Sequence, residues 1–161
     1  MNNSASTGGD ISRLYAVVAG VALVLGGVGG FFFDGSFGTG SQINGDEIFG
    51  TFITNGWNNL AHLVIGLVAL GLAGRSPRAF ALGGGIWLTA LGVWGLSAAD
   101  EGIGVLVSTF PIETSLSLLH LLLGLAGIAA YLGDGGGLPK VAAGRGPKLP
   151  NFKAGGRESR R

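Results

Sequence analysis

Four long apolar stretches dominate the pattern of polar and hydrophobic positions along the chain. They run from about Leu14 to Phe33, Trp57 to Ala73, Ala79 to Ser97 and Leu116 to Leu132. None of them contains Asp, Glu, Lys or Arg, and each approaches the roughly 20 residues that cross a bilayer as a helix. Because a backbone in hydrocarbon must satisfy its own hydrogen bonds, the pattern predicts four transmembrane helices in an all-α bundle.

The composition agrees with a membrane environment. Of the 161 residues, 47% are hydrophobic and 12% are charged, whereas soluble domains carry about 25% charged residues. Glycine occurs 33 times, and 14 of these glycines lie inside the apolar stretches, where glycine favours close packing of helices. The absence of cysteine excludes disulfides, thiol catalysis and zinc–thiolate sites.

Basic residues are confined to three parts of the chain, and this segregation predicts an orientation. They are Arg13, the pair Arg75 and Arg78, and seven residues near the C-terminus. The loops at 34–56 and 98–115 hold acidic residues and no basic one. By the positive-inside rule, both termini lie in the cytoplasm and both acidic loops lie outside the cytoplasmic (inner) membrane.

The two halves of the chain repeat one another. Residues 51–67 recur 58 positions later, with seven of the 17 positions identical. The first apolar stretch likewise matches the third at an offset of 65. We therefore expect two helical-hairpin repeats, at 13–74 and 78–133. Because each repeat has an even number of spans, both insert in the same direction, which makes this a parallel-topology repeat.

Polar segments flank the predicted transmembrane domain at 13–133. The N-terminal segment 1–12 is expected to be flexible, and the tail 134–161 is basic, rich in Gly and Pro, and cytoplasmic. Its basic residues would be drawn to anionic lipid headgroups by about 1 kcal/mol each. Nucleic-acid binding is disfavoured because the tail has one aromatic residue and no binding motif. The predicted lipid- or partner-contacting residues are Lys140, Arg145, Lys148, Lys153, Arg157, Arg160 and Arg161.

The only two histidines, His62 and His120, occupy equivalent positions in the repeat. Ionisable residues inside a membrane span are rare and are candidates for function. In an up-and-down bundle the second and fourth helices are diagonal, so the two imidazoles would converge. Gly66 and Gly124 follow the histidines by four residues on the same helix face. They would leave room there for a flat ring or for another helix.

Several interpretations of the histidines remain open. In a structural role they would hydrogen-bond between helices, with Asn58, Asn59 and Ser117 as further polar interhelical contacts. Alternatively, they would ligate haem or another planar pigment, although no Lys or Arg lies nearby to meet haem propionates. A divalent metal site is poorer, because the remaining carboxylate, Glu113, is about two helical turns from His120.

Aromatic residues in the first outer loop predict a belt at the membrane interface. They are Phe37, Phe49 and Phe52, followed by Trp57. The alternative is that residues 51–58 form a short interfacial or re-entrant segment.

One motif pair resembles a known family. Asn59-Leu60-Ala61-His62-Leu63 with Gly66, and Leu119-His120-Leu121 with Gly124, are similar to the paired Asn-x-x-His-Leu-x-x-Gly signature of small prokaryotic four-helix membrane proteins. That family is catalogued as a domain of unknown function. The resemblance covers about residues 12–133, including Arg-Leu-Tyr-Ala at 13–16. Ser117 replaces the motif asparagine in the second copy. The resemblance implies a fold and no activity.

These features predict a membrane protein without an enzymatic role, because no nucleophile–base pair, phosphate-binding loop or paired carboxylates stand out. We expect an accessory or structural subunit that binds another membrane protein or a second copy of itself. The alternatives are a bis-histidine haem- or pigment-binding electron-transfer protein and a small channel or transporter.

Overall fold

The computed structural model describes residues 9–43, 45–98, 104–106 and 109–135. Within these residues the chain forms four long helices and two short antiparallel hairpins. The helices are α1 (Asp10–Gly30), α2 (Gly56–Ala73), α3 (Pro77–Ala98) and α4 (Thr114–Gly133), and the strands are β1 (Asp46–Ile48), β2 (Phe52–Thr54), β3 (Gly104–Leu106) and β4 (Phe110–Ile112). The architecture is the predicted all-α four-helix bundle.

All four helices are long and apolar enough to cross a membrane. Their outer faces carry large apolar side chains, such as Leu25 at 66% and Leu122 at 64% exposure. Such surfaces are unfavourable in water and are covered by lipid in a bilayer. The chain is therefore a multi-pass membrane protein.

The helix boundaries follow the predicted spans closely, except in α1. The ends of α2, α3 and α4 lie within two residues of the prediction, but α1 starts at Asp10 instead of Leu14 and ends at Gly30. Part of the segment 1–12, expected to be flexible, is thus helical, and Ser12 is fully buried.

Asp134, which follows α4, caps the early start of α1. The Oδ1 atom of Asp134 accepts a hydrogen bond from the backbone N–H of Ile11 at 3.1 Å, and Oδ2 accepts one from Ser12 at 2.8 Å. The first amides of a helix lack partners within it, and a carboxylate there is favoured by the helix dipole. Asp134, assigned to the tail from the sequence, therefore belongs to the bundle.

The rest of the predicted tail lies outside the described residues, from residue 136 onward. This range includes the seven residues predicted to contact lipid or a partner, Lys140, Arg145, Lys148, Lys153, Arg157, Arg160 and Arg161.

Glycines bring the helices of each half into backbone contact. A Cβ atom on Gly27 of α1 would lie 2.8 Å from the backbone nitrogen of Leu63 in α2. A Cβ atom on Gly92 of α3 would lie 2.6 Å from the backbone nitrogen of Leu121 in α4. The contacts use equivalent positions, so α1 packs on α2 as α3 packs on α4.

Tyr15 of α1 joins the two halves. Its ring stacks on that of Phe80 in α3, with centroids 6.0 Å apart. Its hydroxyl donates to the carbonyl of Leu123 in α4 at 3.0 Å. Since α1 contacts both helices of the other half, the bundle forms one body.

The loops between α1 and α2 and between α3 and α4 form β-hairpins, which the sequence did not predict. In the first, Ile48 pairs with Phe52 across a turn in which Phe49 and Gly50 have φ values of 53° and 65°. Two consecutive positive φ angles are what a type I′ turn requires, and the backbone N–H of Thr51 donates to the carbonyl of Ile48 at 3.1 Å to close the turn. Strands of three residues are too short for alternation of polar and apolar positions to reveal them.

The hairpins lie at one end of the bundle, called here the hairpin end. At the opposite turn end, α2 meets α3, α1 begins and α4 finishes. Asp46 and Gly104, Phe52 and Phe110, and Gly56 and Thr114, which begin corresponding elements, are each 58 residues apart. The offset found in the sequence thus also relates the elements of the fold.

Candidate functional site

His62 of α2 and His120 of α4 meet inside the bundle, and we call them the His pair. Their Nε2 atoms are 3.3 Å apart, and the ring centroids are 5.6 Å apart with an interplanar angle of 62°. Both side chains are half-buried. The structure brings the imidazoles together as the sequence predicts, while their role stays a prediction.

The contact between the two rings constrains their protonation. A neutral imidazole has one N–H donor and one bare nitrogen acceptor. A bond between two Nε2 atoms therefore forms when one ring carries a proton at Nε2 and the other does not. The His pair thus holds one donor and one acceptor at a single point, where it joins the two halves.

Helix register places both histidines at the same depth. Each lies six residues after the first residue of its helix, Gly56 or Thr114, which corresponds to about 9 Å along the axis. Because α2 and α4 both start at the hairpin end, the imidazoles meet at a common level below it.

Gly66 and Gly124 each leave room for a neighbouring helix. From the sequence, either a flat ring or another helix could occupy this space. A Cβ atom on Gly66 would lie 2.8 Å from the carbonyl oxygen of Gly20 in α1. A Cβ atom on Gly124 would lie 2.8 Å from the carbonyl oxygen of Gly85 in α3. Both glycines are buried, so they support helix packing behind the His pair.

The geometry of the His pair bears on haem ligation. Metal–imidazole bonds are about 2 Å long, so two axial nitrogens on one iron would be about 4 Å apart with the macrocycle between them. Here His62 and His120 are in direct contact at 3.3 Å. Ligation of haem would require α2 and α4 to separate at this level.

The described residues contain no group of three or more His, Cys, Asp or Glu side chains placed to hold a metal ion. Glu113, the further ligand considered from the sequence, precedes the first turn of α4, whereas His120 lies in its second turn. A divalent ion at the His pair would have two imidazole ligands, fewer than the three or four protein ligands typical of zinc.

Asn59 is the most fully bonded of the predicted polar residues. Its Nδ2 atom donates to the carbonyl of Asp34 at 2.7 Å, and its Oδ1 atom accepts from the hydroxyl of Thr54 at 2.5 Å. It therefore links α2 to the segment after α1 and to β2. The neighbouring Asn58 donates to the carbonyl of Pro111 in β4 at 3.4 Å, which links α2 to the other half.

The hydroxyl of Ser117 bonds within its own helix, while its side chain packs beside Gly95 of α3. Its hydroxyl donates to the carbonyl of Glu113 at 2.6 Å, one turn earlier. A short hydroxyl side chain commonly bonds to the carbonyl four residues before it. The replacement of the motif asparagine by serine thus removes the long connection that Asn59 makes.

Asn55, immediately before α2, was not singled out from the sequence. It is fully buried; its Oδ1 atom accepts from the backbone N–H of Asn58 at 3.0 Å, and its Nδ2 atom donates to the carbonyl of Thr109 at 3.0 Å. An asparagine before an apolar run is a recognisable helix cap. No local sequence pattern predicts the hydrogen bond from Asn55 to Thr109.

Glu113 occupies the equivalent position before α4. Burial raises the pKa of its carboxyl group. The backbone amides of Ile53 and Leu116 counteract this rise, and the nearby carboxylate of Glu47 adds to it. Asn55 and Glu113, which precede α2 and α4, thus each contact the chain just before the other helix. Glu113 brings an acidic group into that contact.

Comparison with known proteins gives one match. The model of a domain of unknown function, DUF4383, matches residues 13–133, a range that contains α2, α3, α4, both hairpins and all but the first three residues of α1. No curated protein and no solved structure shows significant similarity to the chain.

Proposed function

Because this chain belongs to the DUF4383 family of unknown function, we propose its role from its own architecture. It is a small integral membrane protein that serves as a non-enzymatic accessory or structural subunit of a membrane protein complex. The observation that carries the proposal is an uncovered pair of small residues on α1. Ala22 and Gly26 are exposed and four residues apart, and a Cβ atom on Gly26 would meet no atom of the described residues within 4 Å.

An uncovered glycine in a membrane helix favours contact with another helix. Glycine inside a helix is less favourable than alanine by about 0.5–1 kcal/mol. Small residues spaced by four lower the helix surface so that another backbone can approach closely. Large residues beside Gly26 in the sequence, such as Leu25 and Val28, are also exposed, at 66% and 45%. They would form the walls of such a contact.

The His pair supports the non-enzymatic part of the proposal. The two imidazoles bond to each other, and Asn59 and Asn55 are committed to structural hydrogen bonds. The His pair and Asn55 thus join the two halves, Asn59 fastens the first half, and the outer face of α1 is left for a partner.

The test is the size of the complex in mildly solubilised membranes, compared between two variants. Gly26→Leu would fill the uncovered surface of α1. Gly71→Leu is the matched control, because Gly71 of α2 is also open but is flanked at four residues by Leu67 and Arg75. We expect the wild type and Gly71→Leu to migrate in a complex of fixed stoichiometry, and Gly26→Leu to be released from it. Migration of all three as the same monomer would refute the proposal, and mass analysis separates a foreign partner from a second copy.

A second candidate function is haem- or pigment-dependent electron transfer, favoured by the convergence of His62 and His120. It requires the rings to part around a planar cofactor. Absorption spectra of the oxidised and reduced protein test it directly. A Soret band lost in both His62→Ala and His120→Ala would establish this candidate, and a colourless protein in the stoichiometric complex would favour the accessory subunit.

The proposal includes a location in the cytoplasmic membrane with both termini inside, where the basic tail contacts anionic headgroups. It rests on the distribution of Lys and Arg. Since the chain has no cysteine, single cysteines report the orientation. Ser41→Cys near the hairpin end should react with an impermeant thiol reagent in intact cells, and Ser76→Cys at the turn end should react only after lysis. The reverse result would invert the topology.

A further inference from the structure

Two clefts flank the His pair. The first cleft, about 150 Å³, lies between α2, α3, β4 and α4, and both histidines line it. The second cleft, about 220 Å³, is lined by the first hairpin, α1, α2 and α4, and His62 also lines it. The His pair therefore separates two openings into the bundle.

The two clefts occupy equivalent places in the two halves. Phe110 of the first cleft and Phe52 of the second are 58 residues apart, and Leu91 and Gly26 are 65 apart. These are the two offsets that relate the halves in the sequence. Residues at equivalent positions of the two clefts can therefore be compared directly.

Asn58 and the His pair form the polar end of the first cleft. At the position equivalent to Asn58, the second cleft has Leu116, a residue that borders both clefts. Ala61 lines the first cleft where the second cleft has the larger Leu119. None of the described residues that line the first cleft is charged, so a neutral ligand suits it.

The mouth of the first cleft lies on the side of the bundle. Trp87 lines the cleft and is 58% exposed on α3, a helix whose outer face is covered by lipid in a membrane. A ligand would therefore enter from the bilayer. A cavity of about 150 Å³ lined by apolar side chains accommodates a benzene ring, which sets the size of the group that fits.

The His pair determines the chemistry of the polar end. It presents one N–H donor and one bare nitrogen at the same point. The two nitrogens are in direct contact at 3.3 Å, so a hydroxyl group enters once the rings rotate apart. It then accepts from the first nitrogen and donates to the second, which replaces the bond between the rings without leaving a buried polar atom unpaired. We propose that the first cleft binds a neutral, membrane-soluble phenol, with its hydroxyl between His62 and His120 and its alkyl tail passing Trp87 into the lipid.

The first experiment uses the full-length protein in lipid nanodiscs with 4-octylphenol and octylbenzene as probes. Because the chain has only two histidines, labelling with ¹⁵N-histidine reports on the His pair alone. We expect a saturable shift of the imidazole signals with octylphenol, and binding of octylbenzene weaker by about tenfold, which corresponds to the loss of a hydrogen bond of about 1.4 kcal/mol. Equal affinities, or no saturable shift, would overturn the proposal.

The second experiment distinguishes the clefts with a matched pair of variants. Ala61→Leu gives the first cleft the side chain found at the equivalent position of the second, and should weaken octylphenol binding at least tenfold. Leu119→Ala enlarges the second cleft and should leave the affinity unchanged. Unaltered thermal unfolding of both variants establishes that the bundle is intact. Loss of binding in Leu119→Ala with retention in Ala61→Leu would refute assignment to the first cleft.

Discussion

The side chain of Asn59 donates a hydrogen bond to the carbonyl of Asp34 at 2.7 Å, and thereby fastens α2 to the chain leaving α1. Asn59 is 1% exposed. Gly30 provides the space for it, because a Cβ atom there would overlap the Oδ1 atom of Asn59. The position of the Asn59 side chain therefore depends on the glycine at position 30. Gly95 leaves space for the side chain of Ser117 in the same way.

Replacement of Asn59 should destabilise the protein more than replacement of Ser117, its equivalent in the second half. Asn59→Ala leaves the Asp34 carbonyl and the Thr54 hydroxyl without a buried partner, which costs about 1–3 kcal/mol. Ser117→Ala removes one bond within α4 and should cost at most about 1 kcal/mol. Unfolding of both variants by a denaturing detergent measures the difference. Equal losses would show that the longer connection contributes nothing extra.

Alanine at the buried glycines should destabilise the bundle. Gly66→Ala and Gly124→Ala would each force a methyl group against the backbone of a neighbouring helix, at a cost of about 1–3 kcal/mol. Gly71→Ala is the control, because a Cβ atom there meets nothing within 4 Å. It should be neutral or stabilising by up to about 1 kcal/mol. The same unfolding assay compares the three, and a neutral Gly66→Ala would contradict the close approach of α1 and α2.

The bond between His62 and His120 can be measured by a double-mutant cycle. Because each single replacement by alanine removes the same bond, the double variant should be less destabilised than the sum of the singles. The coupling energy should lie near the 0.6 kcal/mol average for polar contacts in membrane helices, and at most about 1.7 kcal/mol. A coupling energy of zero would show that the two rings do not bond in the folded protein.

The contact of Asp134 with α1 predicts an acid dependence. The side chain of Ser12 and the backbone amides of Ser12 and Ile11 hold the pKa of Asp134 below its ordinary value of 3.8. The ionised carboxylate thus stabilises the folded state above that value, and the contribution is lost as the pH falls through the lowered pKa. Asp134→Asn should therefore unfold at a lower temperature than the wild type at pH 7. At a pH below the lowered pKa the two midpoints should converge.

The control for this experiment is Asp46→Asn, which changes a carboxylate on the exposed strand β1. Circular dichroism at 222 nm follows the loss of helix in all three proteins. If Asp46→Asn and Asp134→Asn lower the midpoint equally, the effect comes from net charge and not from the cap on α1.

The helices could be predicted from the sequence because membrane spans have a strong local signal. The 19 residues Ala79–Ser97 carry no charge and predict a helix, and the observed α3 extends this range by two residues at the start and one at the end. Convergence of His62 and His120 followed from the 58-residue offset and the alternating direction of the helices. The repeat itself stays a prediction, supported by the common spacing of the elements.

The hairpins and the long connections could not be predicted in the same way. A three-residue strand such as β2 contains too few positions for alternation to appear, and its aromatic residue also fits a membrane interface. The partners of Asp134 are 122 and 123 residues away, and those of Asn55 and Asn59 lie in separate segments. Such bonds depend on packing that only the whole bundle supplies.

The contact between Asp134 and α1 also determines when α1 is completed during synthesis of the chain. The N-terminus of α1 emerges first from the ribosome, yet the carboxylate that caps it follows 123 residues later, a delay of about 6–25 s at ordinary rates of elongation. Of the four helices, α1 thus enters the membrane before the others and is completed last. Translation that stops before Asp134 leaves α1 with open amides at its start, which distinguishes an unfinished chain from a finished one.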